Sequence, residues 1–485
     1  MSESLRSKVI TGLFWSMIQS WGVKLATLLV FMVLARVLDP YQLGVFAAAM
    51  VVLSFVGLFI DQGLSQAIVQ TAQITVRQLN TVFLINLILA ALIYAGLWFA
   101  APLISSYFKM AELTSILRVA SLSIVVSATC LTQLAMLHRN FMYRWLAVRA
   151  LVATLVAGVI GVICALKGLG TWSLVIQTLL NTVIGAIMIW AHPQWRFSFD
   201  FDFAGVLALL RYGMTRLGTS LLDFANTRYI EIFVATVLGP VALGIYSVGV
   251  RIYQALMQAL SLAILDVAHS GFSRLAENPA ALAGAYYKAV TLTAAVAVPV
   301  FCLLAAIAPE VTVVFFGDKW SGSAQVLQPM ALLGALQVVE YYNGTLFNAI
   351  GRPAIGLKFL IFKTVVTFLA LWMVKNPELQ TIVYAYVASQ LFTIPLSFYL
   401  VHRLVGISLR VVWLHTWRFL IACMLGIGSI ALSRHVDVIA QLSVLPRFIV
   451  LGAIGSVAYA SFLMLAARAQ LRELFVMIRV RQQPG

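Results

Sequence analysis

Long apolar runs separated by short polar breaks dominate the chain. Fourteen runs stand out, at roughly 11–35, 41–63, 79–104, 115–137, 148–167, 171–191, 211–237, 241–264, 285–309, 324–349, 357–374, 380–401, 413–433 and 447–467. Crossing the hydrocarbon core as a helix takes about 20 residues, so each run is long enough to span. The pattern predicts an all-α integral membrane protein with about fourteen transmembrane helices. The even count puts both termini on the same side of the membrane.

One segment occurs twice. LARVLDPYQLGVFAAAM, from Leu34, aligns without a gap on VATVLGPVALGIYSVGV, from Val234, at a shift of 200 residues. Ala35/Ala235, Val37/Val237, Leu38/Leu238, Pro40/Pro240, Leu43/Leu243 and Gly44/Gly244 are identical. A repeated helix–turn–helix implies two similar halves, the construction of many transporters.

Polar positions fall into register with the same shift. On span 7, Arg216, Thr219, Ser220, Asp223, Asn226, Thr227 and Glu231 share one side of a helix. On span 8, Ser247, Arg251, Gln254, Gln258 and Ser261 do so, and on span 1 Ser16, Gln19, Ser20, Lys24 and Thr27. At the shift of 200, Ser16 falls on Arg216, Gln19 on Thr219, Ser20 on Ser220 and Thr27 on Thr227. A helix polar on one side at membrane depth faces protein or water rather than lipid, so spans 1 and 7 are expected to line a shared cavity. Span 10 adds Gln337, Glu340, Tyr341 and Asn348 on one face.

Charges at that depth are costly and mark function or pairing. Lys24 and Arg251 lie near mid-span with no acid three or four residues away, and are candidates to face the cavity. Arg216 either shares the span 7 stripe or reaches the interface. Arg228 lies three residues before Glu231, at ion-pair spacing, with a substrate contact as the alternative. Asp223, Glu231 and Glu340 either neutralise the cations or form a proton or sodium site, because a carboxyl in low dielectric takes up protons more readily. Lys363 and Arg418 lie close to inner helix ends and are expected to snorkel to the interface. The substrate-binding candidates are therefore Arg251, Lys24, Arg216, Arg228, Gln254, Gln258 and Gln19. Cations at membrane depth without a fixed partner attract an anion, and the planar guanidinium fork suits a diphosphate. A cavity flanked by two halves could hold a bulky headgroup while a lipid tail stays in the bilayer.

Composition narrows the class. Of 485 residues, 62% are hydrophobic and 10% charged, against about 25% charged in soluble domains. The net charge of +16 is explained largely by Lys and Arg in loops, so nucleic-acid binding is not expected. With the N-terminus inside, inner segments carry eighteen of these residues and outer loops eight, a bias that favours cytoplasmic termini. The N-terminus lacks a small-residue cleavage site. Cys130, Cys164, Cys302 and Cys423 sit in apolar runs and read as packing residues. The basic–apolar tail from 468 to 485 reads as a surface helix on anionic lipid, with partner docking as the alternative. No P-loop, zinc spacing or nucleophile constellation is present, so neither a cofactor nor a resident metal is expected.

LARVLDPYQLGVF followed by FIDQGLSQAIVQ (59–70) resembles the opening of the Wzx-type polysaccharide flippases of the multidrug/oligosaccharidyl-lipid/polysaccharide exporter superfamily. FFGDKWSGSAQVLQPMALLG (315–334) and NAIGRP (348–353) resemble the later half of the same family, in the branch of colanic-acid and other exopolysaccharide exporters. Locally, Pro40 and Gly44 suit a turn that opens a helix, Gly317–Trp320 a tight outer turn with an interfacial aromatic, and Gly351–Pro353 a helix end. The resemblance implies two pseudo-symmetric six-helix lobes, at 1–200 and 201–405, with helices 13 and 14 added at 406–467. It also implies alternating access, an ion gradient as energy source and an undecaprenyl-diphosphate-linked oligosaccharide as cargo. The setting would be the bacterial inner membrane, with polymerase and export proteins as possible partners.

Three rivals remain open. Drug exporters of the superfamily usually have twelve helices, and a lipid II flippase has fourteen. A glycan polymerase or ligase, an enzyme, would need a large outer loop, and most outer loops here are under about a dozen residues.

Overall fold

The computed structural model describes residues 3–61, 64–71 and 73–466, with side-chain surroundings described except at 3–14, 16–18, 20, 61, 66, 67, 70, 207–216, 261–267, 269 and 466. The tail from 468 to 485, and Gln62 and Gly63 of the FIDQGLSQ motif, lie outside the described residues. All described elements are helices. They form two compact units, Met1–Ser247 and Val248–Gly485.

The first unit contains α1 (Glu3–Val37), α2 (Pro40–Asp61), α3 (Leu64–Gln70), α4 (Val76–Phe108), α5 (Leu113–Ala120), α6 (Leu122–Arg139), α7 (Tyr143–Leu166), α8 (Thr171–Trp190), α9 (Phe203–Val237) and the first two turns of α10 (Gly239–Leu275). Helix α1 packs along α7, α7 on α8, α4 on α6, and α2 and α4 on α9. Thr75 and Gln78 open α4 with a reciprocal capping box.

The link from α8 to α9 is tied to the bundle. Asn80 donates to Ser198 Oγ (2.8 Å) and the Asp200 carbonyl (2.9 Å), and accepts from Trp195 Nε1 (3.0 Å) and the Ser198 amide (3.3 Å). Gln133 bonds the Trp195 carbonyl and accepts from the Gln194 amide. Backbone groups that would otherwise be buried unpaired are thereby satisfied.

The second unit continues α10 and adds α11 (Pro279–Ala306), α12 (Ala308–Phe316), a 3-10 turn (Asp318–Ser323), α13 (Ala324–Ala349), α14 (Pro353–Trp372), α15 (Leu379–Val405), α16 (Leu409–Ser433), α17 (Asp437–Ala440) and α18 (Val444–Ala466). Helix α11 packs on α13 and α16, α16 on α18, and α15 on α13 and α14. Glu310 of α12 is buried between two arginines, with Arg434 Nη2 at 2.7 Å and Arg447 Nε at 3.8 Å. That cluster fastens the last two long helices to α12. Trp320, expected at the interface, is instead wholly buried, folded under by the 3-10 turn that follows Gly317 at φ 98°. Gly351, at φ 71°, separates α13 from the Pro353 that opens α14, the break that the NAIGRP segment predicts.

Among the described residues, ten helices are long and apolar enough to cross a membrane: α2, α4, the continuous run Leu113–Arg139, α7, α8, α11, α14, α15, α16 and α18. The remaining four apolar runs also form helices, α1, α9, α10 and α13. These four carry the predicted polar faces.

The repeat is visible in burial as well as in sequence. Leu43 and Leu243, Ala35 and Ala235, and Gly44 and Gly244 are all buried, while Val37 and Val237 are both exposed. The two turns differ in how they start the next helix. Asp39 caps α2 by accepting from the Gln42 amide at 2.9 Å. Its counterpart Gly239 has no side chain and turns the backbone at φ 80° instead.

Candidate functional site

In the first unit the predicted polar residues lie on α1 and α9. Lys24 and Gln19 are half-buried, and among the described residues Lys24 has no ion-pair partner. Thr27 turns back to its own helix, bonding the Val23 carbonyl at 2.7 Å. On α9, Asp223 is exposed and Thr227 bonds the Asp223 carbonyl at 2.8 Å. Asn226 keeps a buried Oδ1 with no hydrogen-bond partner among the described residues. Arg228 and Glu231 meet: one guanidinium nitrogen reaches both carboxylate oxygens at 2.8 and 2.9 Å, with Glu231 buried and Arg228 partly exposed. The i,i+3 spacing read from the sequence is thus realised as an ion pair. Arg216 lies outside the residues whose side chains are described.

A separate cavity of about 590 Å³ opens among α2, α4 and α9. Phe55, Tyr107, Phe108, Phe224 and Tyr229 line it, and Phe55 and Phe224 pack at 5.4 Å between centroids. None of the predicted charged residues whose side chains are described belongs to its wall.

In the second unit the polar residues join into a network across α10, α13, α14 and α15. Arg251 and Gln254 are half-buried on α10, and Gln258 is exposed. Tyr253, between them, donates to Gln337 Oε1 at 2.6 Å. One turn further along α13, Glu340 faces Lys363 Nζ of α14 at 3.4 Å. Both are deeply buried, at 5% and 7% exposure, so Lys363 does not snorkel as expected: a carboxylate on the neighbouring helix offers it a partner at depth. One turn past Lys363, Thr367 accepts from Gln390 Nε2 at 2.9 Å and lies 3.2 Å from Ser389 Oγ, both on α15. Asn343 of α13 accepts from Tyr286 OH at 2.6 Å and donates to Ser397 at 2.9 Å. Tyr341 and Asn348, placed on the same face as Glu340 by the sequence, are exposed.

The arrangement holds a buried charge pair between two neighbouring helices. Sequence reasoning found Glu340 but not its partner, because the pairing depends on how α13 and α14 are set side by side. Glu310, buried between Arg434 and Arg447, was likewise missed. Its signal was an acid after Pro309 in an apolar run.

Residues 33–325 match the family described as polysaccharide biosynthesis protein. The succinoglycan biosynthesis transport protein ExoT of Rhizobium meliloti is 23% identical over 493 residues, covering 99% of this chain and 98% of its own length. The lipopolysaccharide biosynthesis protein WzxC of Escherichia coli is 23% identical over 367 residues, 74% of each chain. Among solved structures, the lipid II flippase MurJ in an inward closed conformation matches with a TM-score of 0.76 at 12% identity, covering 94% of this chain and 99% of that one. An inward-facing MATE family multidrug transporter of the MOP superfamily matches at 0.53 and 16% identity, covering 82% and 98%. At these identities the structural likenesses establish the fold, and that fold is the helical transporter architecture the apolar pattern and motifs predicted.

Proposed function

The chain belongs to the family of polysaccharide biosynthesis proteins, and we propose that it flips an undecaprenyl-diphosphate-linked oligosaccharide from the cytoplasmic to the periplasmic leaflet of the bacterial inner membrane. It is a transporter rather than an enzyme. The observation that carries the reading is the family match, extended over nearly the whole chain by the likeness to a succinoglycan transport protein. Fourteen helices, in lobes at 1–200 and 201–405 with an added pair at 406–467 and cytoplasmic termini, are part of the same proposal.

The side chains support a division of labour. Lys24 and Arg251, half-buried and near the middle of their apolar runs, supply cations to the diphosphate, with Arg216 as a third. Gln19, Gln254 and Gln258 hydrogen-bond sugar hydroxyls. Arg228 is engaged by Glu231, so its charge reaches the substrate only if that pair opens. Asp223 and Glu340 remain the coupling carboxylates. A coupling ion shifts the equilibrium only if it binds the inward and outward states with different affinity, and the Glu340–Lys363 pair provides this if it is closed in one state and open in the other.

The test is deletion and complementation. Loss of the gene should abolish exported polysaccharide and leave lipid-linked repeat units accumulating on the cytoplasmic leaflet. The wild-type gene should reverse this, and Arg251→Ala, at normal membrane levels, should not. Repeat units that reach the outer leaflet normally in the deletion strain would place the protein after flipping.

A further inference from the structure

The two copies of the repeated turn touch each other, and they do so reciprocally. A Cβ added to Gly44 would fall inside the carbonyl oxygen of Pro240, and 3.0 Å from the amide nitrogen of Gly244. A Cβ added to Gly244 would fall inside the carbonyl oxygen of Pro40, and 3.2 Å from the amide nitrogen of Gly44. The same two residues of each copy therefore meet their own counterparts, with the first turn of α2 packed backbone to backbone on the first turns of α10. Each glycine directs a Cα–H at the other copy's proline carbonyl, a weak contact that only a residue without a Cβ can make. Leu43 and Leu243 beside them are buried, as is Ala48 one turn further along α2.

We propose that this glycine joint closes the outward side of the translocation route, and that Gly44 and Gly244 set how often the route opens there. The inference rests on the transporter reading. Three observations bring the joint to that role. The sequence places both turns on the side opposite the termini, and the pseudo-symmetric repeat brings its two copies together at one point. The contact at the centre of the joint is also backbone on backbone, glycine against the opposite proline carbonyl. Contacts of this kind close tightly when the small residues meet and can part without repacking side chains at that point. A route that admits cargo from the inside must be shut outside, and the joint supplies that shut state in a form that can part. Substituting either glycine by alanine wedges the joint and shifts the population toward the outward-open form.

The experiment reads access at Ala48. In a variant lacking the four native cysteines and carrying Ala48→Cys, an impermeant maleimide applied to intact cells should label slowly. Adding Gly44→Ala or Gly244→Ala should raise the labelling rate several-fold, with lipid-linked repeat units still made but exported less. Because alanine at a tight contact can reduce folding, the second arm keeps both glycines. There, labelling of the introduced thiol in energised cells should change when the proton gradient is collapsed. Labelling that stays at background in both arms, with the alanine variants present at normal levels, overturns the joint as a moving closure and makes it a fixed contact. The maleimide readout needs no glycan, so it can fail while the deletion phenotype stands, or hold while that phenotype fails.

Discussion

A lysine and a glutamate that share a buried position are bound to each other's fate. Removing one partner of a buried pair costs about 3–5 kcal/mol, because the other charge is left unpaired, whereas replacing both by neutral groups is often close to neutral. Lys363→Met alone should therefore lower the melting temperature of detergent-solubilised protein well below wild type, and Glu340→Gln/Lys363→Met should recover most of the loss. Transport separates a coupling pair from a structural one. If Glu340 takes part in coupling, the double variant is stable but no longer concentrates its cargo against a gradient. Full gradient-dependent transport by the double variant would remove Glu340 from the coupling group. The sequence marks Glu340 as an acid on a polar face, but it does not reveal the partner. Lys363 lies 23 residues away, and whether it turns inward or toward the interface depends on the side-by-side register of two helices. The Arg228–Glu231 pair was legible because both ends sit on one helix at a fixed spacing.

At the scale of elements, the linker between α8 and α9 behaves as part of the bundle rather than as a loose connection. Asn80 alone holds four of its hydrogen bonds. Asn80→Ala leaves the indole N–H of Trp195 and the Ser198 amide without their acceptor, at about 1–3 kcal/mol for a buried polar group stripped of its partner. Limited proteolysis of inside-out vesicles should then cut between 192 and 202 at least several-fold faster than in wild type. An unchanged cleavage rate would show that the aromatic packing of Trp195 on Phe83 and Phe197 holds the linker by itself. This network was invisible in the sequence, where HPQWRFSFDFDF reads only as part of one of the two longest inner loops, 192–210. The helices were far more legible, because a run of about 20 apolar residues admits little else. The four helices that carry the polar faces, α1, α9, α10 and α13, were legible too, as apolar runs interrupted on one side by polar residues.

For the whole molecule, orientation follows from where Lys and Arg accumulate. A single cysteine at Lys319, in the 3-10 turn after α12, should react with an impermeant thiol reagent from outside intact cells. One at Arg196, in the linker, should react only after permeabilisation. The reverse pattern would invert the topology and with it the assigned direction of transport. The repeat was the most legible large-scale feature, since a gapless shift of 200 residues needs no structure to be seen. What it could not convey is that the matched glycines touch, because two copies of a motif can be related by symmetry at any separation.

The Glu310 cluster has a consequence for how the protein is made. Glu310 is buried at 4% exposure, and its nearer arginine lies 124 residues later in the chain. During synthesis the carboxylate therefore reaches the membrane long before either arginine exists. Until the closing hairpin of α16 and α18 arrives, the nascent protein carries an unsatisfied acid at a site built to be sealed. A ribosome that stops before Arg434 leaves that acid with neither of the two arginines that neutralise it in the finished fold.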